Sequence, residues 1–327
     1  MATGVAPSSA QDYGSDRYTK GFAVFEEWQM HRYNRESHLG HPLRSAKLGM
    51  RYLTLPHYFG RVPPVRLWLR RFGGPRVLPD FACVGALKSG TTDLASYLMQ
   101  HPSILAPLTK EIGHGYTQLW GPFFPTEREK AEVLRCTGQA LAGHFDPALH
   151  DLLLIDNYRA ARPDAKIVMM LRDPVDRAHS HYKWDLFLSS KDGLRAMPYG
   201  RTFADYVGYA LEMFPISPPT TLPSMPVLGT GVYVNSVARW LEAFDKGNVY
   251  IVTAEDFFAD ISKTVCGIHE FLGLPAVEPI RHHVLNRNPL EVPEPDEDSL
   301  ARLREFYRPW NEKLFEVIGR DLGWNDR

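Results

Sequence analysis

The chain has little cysteine, no long apolar run and almost no net charge. Its 327 residues include three cysteines without C-x-x-C spacing, which argues against a zinc site or a disulfide framework and leaves a Cys136–Cys266 bridge open. No apolar run approaches the length of a membrane span, and the N-terminus lacks a signal-peptide core. The net charge of −1 argues against generalised nucleic-acid binding.

The most informative segment that is present runs from Phe81 to Thr92, with the sequence FACVGALKSGTT. The pattern predicts a buried strand over Phe81–Val84, a turn through Gly85 and Gly90, and a helix that begins near Thr91. Unpaired N–H groups at the helix start, the Lys88 charge and the nearby hydroxyl groups would together hold a phosphate-like anion.

This loop does not have the Walker A order, G-x-x-x-x-G-K-[ST], because Lys88 precedes Gly90 and the loop is shorter. A nucleoside triphosphate hydrolase, or a kinase-like phosphotransferase, is therefore a poor fit. The segment calls for another kind of anion-binding strand–loop–helix unit.

A second strand–turn–helix segment lies between Ala165 and Tyr182. The continuous apolar run Ile167–Leu171 predicts a strand that is covered on both faces, and Asp173 and Pro174 suit the start of the next helix. Arg172 lies where this strand ends. In a parallel sheet the loops after both strands open at the carboxyl edge, where ligands bind. The predicted fold is α/β, with a central parallel sheet flanked by helices.

These two motifs resemble those of the sulfotransferases that use 3′-phosphoadenosine 5′-phosphosulfate (PAPS). In that family a K-[ST]-G-T-T loop holds the 5′-phosphosulfate, and an R-D-P segment with a serine eight residues after its arginine holds the 3′-phosphate. The matching residues here are Lys88, Ser89, Gly90, Thr91 and Thr92 in the first motif, and Arg172 and Ser180 in the second. The resemblance implies a P-loop-like sulfotransferase fold.

Later segments resemble the membrane-type carbohydrate sulfotransferases. Gly231–Tyr233, Arg239–Phe244 and Val249–Phe257 are similar to their helix–strand–EDF region, and Leu303–Leu314 is similar to the last helix of the chondroitin (N-acetylgalactosamine 4-sulfate) 6-O-sulfotransferase type. The resemblance covers residues 78 to 325. It implies PAPS as sulfuryl donor, PAP as product, a hydroxylated acceptor that is a glycan, and no metal.

The resemblance also implies roles in the reaction. Lys88 would stabilise the charge that builds on the departing phosphate, because a cation must sit there before reaction. The acceptor hydroxyl needs a base, and Glu111, followed by His114, matches the family's K-E-x-H segment with one extra residue. Tyr233 and Arg287 are expected at the adenine and 3′-phosphate end.

Composition divides the chain into an N-terminal basic extension, residues 1–77, and a sulfotransferase domain, residues 78–327, with a Pro-rich insertion at about 189–230. From Ser37 to Pro79 there are eight Lys or Arg and no Asp or Glu, so this stretch is either a guide for an anionic acceptor or a solvated basic face.

Two alternatives remain: a sulfotransferase acting on a small hydroxylated metabolite, and a catalytically inactive nucleotide-binding relative. The absence of an apolar span predicts a cytoplasmic protein, or a Golgi-lumen protein if an N-terminal anchor has been removed. The sequence does not indicate the oligomeric state.

Overall fold

The computed structural model describes residues 62, 64–112, 117–192, 202–214, 227–280 and 292–326. Several sequence predictions lie outside these residues: those for His114 and Arg287, most of the basic extension, and much of the Pro-rich insertion. The boundary at residues 77/78 stays a prediction.

All strand pairings in the central sheet are parallel, as predicted. Its strands are β1 Phe81–Gly85, β2 Ile104–Leu105, β3 Leu141–Asp146, β4 Lys166–Leu171 and β5 Val249–Thr253. Their order across the sheet is β2-β3-β1-β4-β5. The chain leaves β1 toward the β3 side and leaves β4 toward the β5 side, so a crevice opens between the carboxyl ends of β1 and β4.

Helices cover both faces of the sheet. Over the described residues they are α1 Pro64–Arg70, α2 Thr91–Leu98, α3 Glu127–Thr137, α4 Leu152–Ala161, α5 Pro174–Asp192, α6 Phe203–Met213, α7 Val234–Ala243, α8 Ala254–Ala259, α9 Ile261–Leu272 and α10 Glu297–Ile318.

Alternate residues of β1 and β4 enter two different cores, as the two-residue period of a strand requires. Ala82 and Val84 pack with residues of α4, α7 and α10, whereas Phe81 and Cys83 pack with residues of α2 and α9. Burial on both faces is the physical reason for the continuous apolar runs in these strands. The result is a rigid three-layer support for the loops that follow β1 and β4.

The start of α5 forms as the sequence predicts. The backbone N–H of Val175 donates to Asp173 Oδ1 at 2.8 Å, and Pro174 occupies the first helical position. Burial, the largest of several influences, raises the pKa of Asp173 to about 6. This cap fixes the direction in which α5 leaves the end of β4.

Part of the basic segment before β1 serves the fold. Arg70, on α1, donates to the carbonyl oxygens of Pro122 and Phe124, and Arg76 also donates to Phe124 O, at 3.1 Å. Burial lowers the pKa of Arg70 to about 10. These two arginines therefore attach the segment to the domain, which neither sequence interpretation anticipated.

The three cysteines are free: Cys83 is buried, Cys136 is exposed and Cys266 is half-buried. The open possibility of a Cys136–Cys266 bridge is therefore not realised. Burial raises the pKa of Cys83 to about 12, and this side chain acts as a small apolar core residue.

Candidate functional site

The loop between β1 and α2 has an unusual backbone. Gly90 has a φ of 88°, and Lys88 has a φ of 73°, although lysine carries a Cβ that disfavours this region. The loop ends at the start of α2, where the first N–H groups have no partner within the helix. The left-handed residues let the chain turn tightly from β1 into α2, a backbone form that is typical of anion-binding loops.

Glycine at position 85 lets three elements meet closely. A Cβ there would lie 2.6 Å from Thr91 Cγ2 and 2.8 Å from the Met170 carbonyl oxygen. Any side chain would therefore push the start of α2 away from β4. Gly85 thus brings the loop after β1 to the end of β4, where the second motif begins.

Lys88 is half-buried at the floor of this region, and its Nζ lies 4.3 Å from the centre of the Trp184 ring. Burial lowers the pKa of Lys88 to about 8. The carboxylates of Asp185 and Glu111 oppose this effect, while Arg172 and Arg177 add to it. At neutral pH the ammonium is still mostly charged, in surroundings where a charge acts more strongly than in water.

Arg172 follows β4 and reaches the β1 loop. Its Nη1 donates to the Lys88 carbonyl oxygen at 3.3 Å, and its Nη2 lies 3.9 Å from Asp176 Oδ2. About 29% of its side chain is exposed, so the guanidinium can still bind an anion. The two predicted motifs therefore contact each other directly.

A cleft of about 270 Å³ opens where the motifs meet. Its lining residues are Leu87, Lys88, Gly90, Thr91, Thr92, Asp93, Glu111, Arg172, Ser180, Trp184 and Phe258. The structure thus brings together most of the predicted donor-binding residues and the predicted base, although these come from three separate parts of the sequence.

Ser89 belongs to the same loop but is not among the residues that line the cleft. It is fully buried, and its hydroxyl has no hydrogen-bond partner among the described residues. A buried hydroxyl without a partner is costly. An anion held in the loop is the kind of ligand that would supply the missing acceptor.

Glu111 is placed at the edge of the cleft with 51% of its side chain exposed. One of its carboxylate oxygens accepts a hydrogen bond of 3.1 Å from Nζ of the buried Lys110. Lys110 therefore orients the carboxylate while leaving part of it open to solvent or to an acceptor.

Tyr233 contacts Arg172 but is not among the residues that line the cleft. It is 1% exposed and donates its hydroxyl to the Arg172 carbonyl oxygen at 2.9 Å. Burial raises its pKa well above the ordinary value. Tyr233 thus supports the backbone of Arg172, and its role as a donor contact stays a prediction.

Sequence reasoning missed Phe258 and Asp93. Phe258 follows the EDF motif directly, and its ring would be 2.9 Å from a Cβ at Gly90. A second aromatic residue after EDF was the available signal. Asp93 lies in the first turn of α2, where a carboxylate is expected for helix stability alone. Its position in the sequence therefore did not indicate a place in the cleft.

In the part of the chain that the structure describes, no helix has the length and apolar character that a membrane span needs. Nor do the side chains described there form a group of three or more His, Cys, Asp or Glu that could hold a metal ion.

Comparison with known proteins identifies the family. The family described as "Sulfotransferase domain" matches residues 78–290, more than half of the chain. The chain belongs to the sulfotransferase domain family. A solved member, the sulfotransferase from Alicyclobacillus acidocaldarius, superposes with a TM-score of 0.58 at 26% identity, covering 77% of this chain and all of that one. This likeness agrees with the predicted sulfotransferase fold.

Curated relatives show a similar level of sequence identity. Heparan sulfate glucosamine 3-O-sulfotransferase 3A1 of Homo sapiens is 24% identical over 290 residues, which cover 80% of this chain and 66% of the relative. Carbohydrate sulfotransferase 15 of Homo sapiens is 28% identical over 310 residues, covering 74% of this chain and 54% of the relative. The chain thus spans less than two thirds of the length of either relative.

Proposed function

We propose that this sulfotransferase-family chain transfers a sulfuryl group from PAPS to a hydroxyl of a carbohydrate and releases PAP. The observation that carries the proposal is the meeting of the Lys88–Thr92 loop with Arg172 and Ser180 in one cleft. A PAPS molecule needs two separate anion sites, one for the phosphosulfate and one for the 3′-phosphate, and this cleft offers a cation at each.

The residues of the β1–α2 loop and of the start of α5 suit the two anionic groups of PAPS. The N–H groups at the start of α2 and the Thr91 and Thr92 hydroxyls would bind the 5′-phosphosulfate, together with Ser89, whose hydroxyl has no partner among the described residues. Arg172 would pair with the 3′-phosphate, with Ser180 from α5 as a second donor. Metal is not part of the proposal.

In the proposed step the acceptor oxygen forms a bond to sulfur as the bond from sulfur to the bridging oxygen breaks. Lys88 stabilises the charge that develops on the phosphate of departing PAP, by the same electrostatic logic as in phosphoryl transfer. The Glu111 carboxylate takes the proton of the acceptor hydroxyl. His114 and Arg287 keep their predicted roles as neighbour of the base and as donor contact.

A carbohydrate acceptor is supported by the names of the relatives, which are sulfotransferases of heparan sulfate glucosamine and of carbohydrate. An open cleft with an indole at its wall is compatible with a sugar ring. The acceptor would be tested by incubating the protein with labelled PAPS and a panel of glycans and small alcohols, with label transfer read by mass.

Donor identity has its own test. PAP should raise the melting temperature while ATP with magnesium does not, since a ligand stabilises only the state that binds it. Arg172→Ala should weaken PAP binding by about 1.5–3 kcal/mol, the usual worth of a hydrogen bond to a charged group. The control is Arg239→Ala, an exposed arginine on α7 that should leave PAP affinity unchanged. Unchanged affinity in Arg172→Ala would refute the assignment of the 3′-phosphate site.

A further inference from the structure

Helix α1 carries an apolar face that is open to solvent. Four large apolar side chains follow the i, i+3, i+4, i+7 spacing of one helix face and are between 53% and 71% exposed: Val65, Trp68, Leu69 and Phe72. Elsewhere among the described residues, large apolar side chains with comparable exposure occur in the sequence singly or as one adjacent pair. Isolated exposed apolar residues are ordinary, whereas four on one face indicate a contact surface.

The two aromatic side chains of this face touch each other. Phe72 lies in the turn that continues α1, where its backbone N–H donates to the Leu69 carbonyl oxygen at 3.2 Å. The Phe72 and Trp68 rings meet edge to face, with their centres 5.0 Å apart. Together the four side chains make the apolar face of α1, and the ring contact orders its two largest members.

Other residues of α1 attach the helix to the domain. Leu67 packs against the main core, and Arg70 donates to the carbonyl oxygens of Pro122 and Phe124. None of these contacts uses a side chain of the apolar face. A partner can therefore cover that face without detaching α1 from the domain.

The residues around the apolar face are positively charged. Arg66 is half-buried on α1, and Arg71 is exposed directly after it. From Ser37 to Pro79 the sequence has eight Lys or Arg and no Asp or Glu. A carboxylate from α3 reaches this stretch: Glu129 Oε2 lies 4.0 Å from Arg76 Nη1. Because one carboxylate does not balance so many cations, the face suits a partner that is apolar and negatively charged at its surface.

We propose that the apolar face of α1, with the arginines beside it, binds the surface of a lipid bilayer that contains anionic lipids. Tryptophan, phenylalanine and leucine side chains enter the boundary between head groups and acyl chains, while arginine side chains reach the lipid phosphates. With seven residues, α1 lies in the plane of the surface and does not cross it. A second copy of the chain is a poorer partner, because two such faces would bring like charges together. The proposal uses no residue of the cleft and does not depend on the proposed reaction.

Co-sedimentation of the full chain with lipid vesicles tests the proposal. Vesicles of phosphatidylcholine alone are compared with vesicles in which about one third of the lipid is phosphatidylserine. Wild type should bind the anionic vesicles about tenfold or more tightly than the neutral ones, because several basic side chains interact with the charged surface. Added salt should weaken this binding, since it screens the arginines from the lipid charge.

The contribution of the apolar face is measured with the double variant Trp68→Ser and Phe72→Ser. Its affinity for the anionic vesicles should fall about tenfold or more, because two aromatic rings no longer enter the bilayer. Its melting temperature should stay at the wild-type value, since both side chains are more than half exposed. Phe72→Ser alone is the milder variant should the double variant fail to fold, with a loss of about threefold. The matched control is Leu152→Ser with Leu153→Ser, an exposed apolar pair on α4, which should bind vesicles as wild type does.

The contribution of the charge is measured with Arg71→Gln, which removes an exposed cation next to the face. Its affinity for the anionic vesicles should fall about fivefold, the usual effect of one basic residue near such a surface. Its affinity for the neutral vesicles should not change. The control is Arg239→Gln, an exposed arginine on α7, which should leave both affinities at their wild-type values.

Several results would overturn the proposal. Equal affinity of wild type for the two kinds of vesicle, or no binding to either, would show that the face does not recognise an anionic lipid surface. Undiminished vesicle binding by the variant Trp68→Ser with Phe72→Ser would place the lipid contact elsewhere on the chain. A lowered melting temperature of that variant, with no vesicle binding by wild type, would show that another part of this chain covers the face. Dimerisation of wild type in place of vesicle binding, abolished in the same variant, would make a second copy the partner.

Discussion

At the scale of single residues, two requirements on Lys88 conflict. Its charge must be buried to act strongly on a departing phosphate, and burial favours the neutral amine. The structure meets both demands with Trp184 at 4.3 Å and with two carboxylates whose charges favour the ammonium.

Replacement of Lys88 should therefore affect turnover more than binding. We expect Lys88→Ala to lower kcat about 10²-fold or more, since a preorganised charge at the leaving oxygen is removed. In wild type, kcat/KM should decline as pH rises through about 8, because the required form is the protonated one and its pKa is lowered to that value. Measurement is by pH-dependent kinetics with PAPS.

The matched control is Lys313→Ala on α10. Its ammonium also lies over an indole, 5.1 Å from the Trp310 ring, but α10 does not line the cleft. Its kinetics should be those of wild type. Near-normal turnover in Lys88→Ala would show that another group handles the leaving-group charge.

The base is the second prediction at this scale. Glu111→Gln keeps the shape of the side chain and removes its basicity, so folding and PAP affinity should survive. Turnover should fall about 10²–10⁴-fold, the usual range for a lost general base. Single-turnover kinetics would separate this loss from an effect on binding. An active Glu111→Gln together with an inactive His114→Ala would instead make the histidine the base and would favour a small-molecule acceptor.

At the scale of elements, the loop between β1 and α2 depends on Gly90 for two reasons that can be separated. Its φ of 88° is costly for any residue with a Cβ, and a Cβ would also lie 2.9 Å from the Phe258 ring. Gly138, after α3, has a similar φ of 77° with no atom within 4 Å of a Cβ. The two positions share the conformational cost and differ in the contact.

We expect Gly90→Ala and Gly138→Ala each to lower the free energy of unfolding by about 1–2 kcal/mol, the cost of the left-handed conformation. Only Gly90→Ala should also weaken PAP binding, about tenfold or more, because the loop or Phe258 must shift. Urea denaturation and calorimetry measure the two effects. Equal PAP affinity in both variants would show that the loop tolerates the shift.

At the scale of the whole molecule, buried histidines link stability to pH. His144 is 1% exposed, and neither ring nitrogen has a hydrogen-bond partner among the described residues. Burial lowers its pKa to about 3. His150 is also buried with a pKa lowered to about 4, but its ring nitrogens lie 2.7 Å from Ser236 Oγ and 3.0 Å from Thr230 O.

The direction in which stability changes with pH follows from the lowered pKa values of these two histidines. Below about pH 6.5 the unfolded chain binds a proton at each such histidine that the native state does not, so stability falls as pH falls toward 3. His144→Leu should remove ~2 kcal/mol of the loss between pH 7 and pH 5. Denaturant unfolding at both pH values measures it.

His150→Leu is the comparison. It should cost about 1–3 kcal/mol already at pH 7, because a buried hydroxyl and a buried carbonyl lose their partner. Full retention of the wild-type pH dependence in His144→Leu would mean that His144 does not stay neutral in the folded protein.

The local elements were predictable because their causes are local. Strand β4 was predicted over Ile167–Leu171 and occupies Lys166–Leu171, and α2 begins at the predicted Thr91. An apolar run that must be covered on both faces, and glycines that bound a turn, act within a few residues of the chain. The same holds for the start of α5 at Pro174.

The sequence by itself determined the family, the parallel sheet and the two motifs, since these depend on short patterns in a fixed order. Only the tertiary structure decided which side chains share the cleft. It placed Tyr233 behind Arg172 rather than in the cleft, brought Phe258 against Gly90, and joined Tyr206 of α6 to Asp185 of α5. The reason is that these contacts join distant segments, and no pattern within one segment fixes the direction in which another packs.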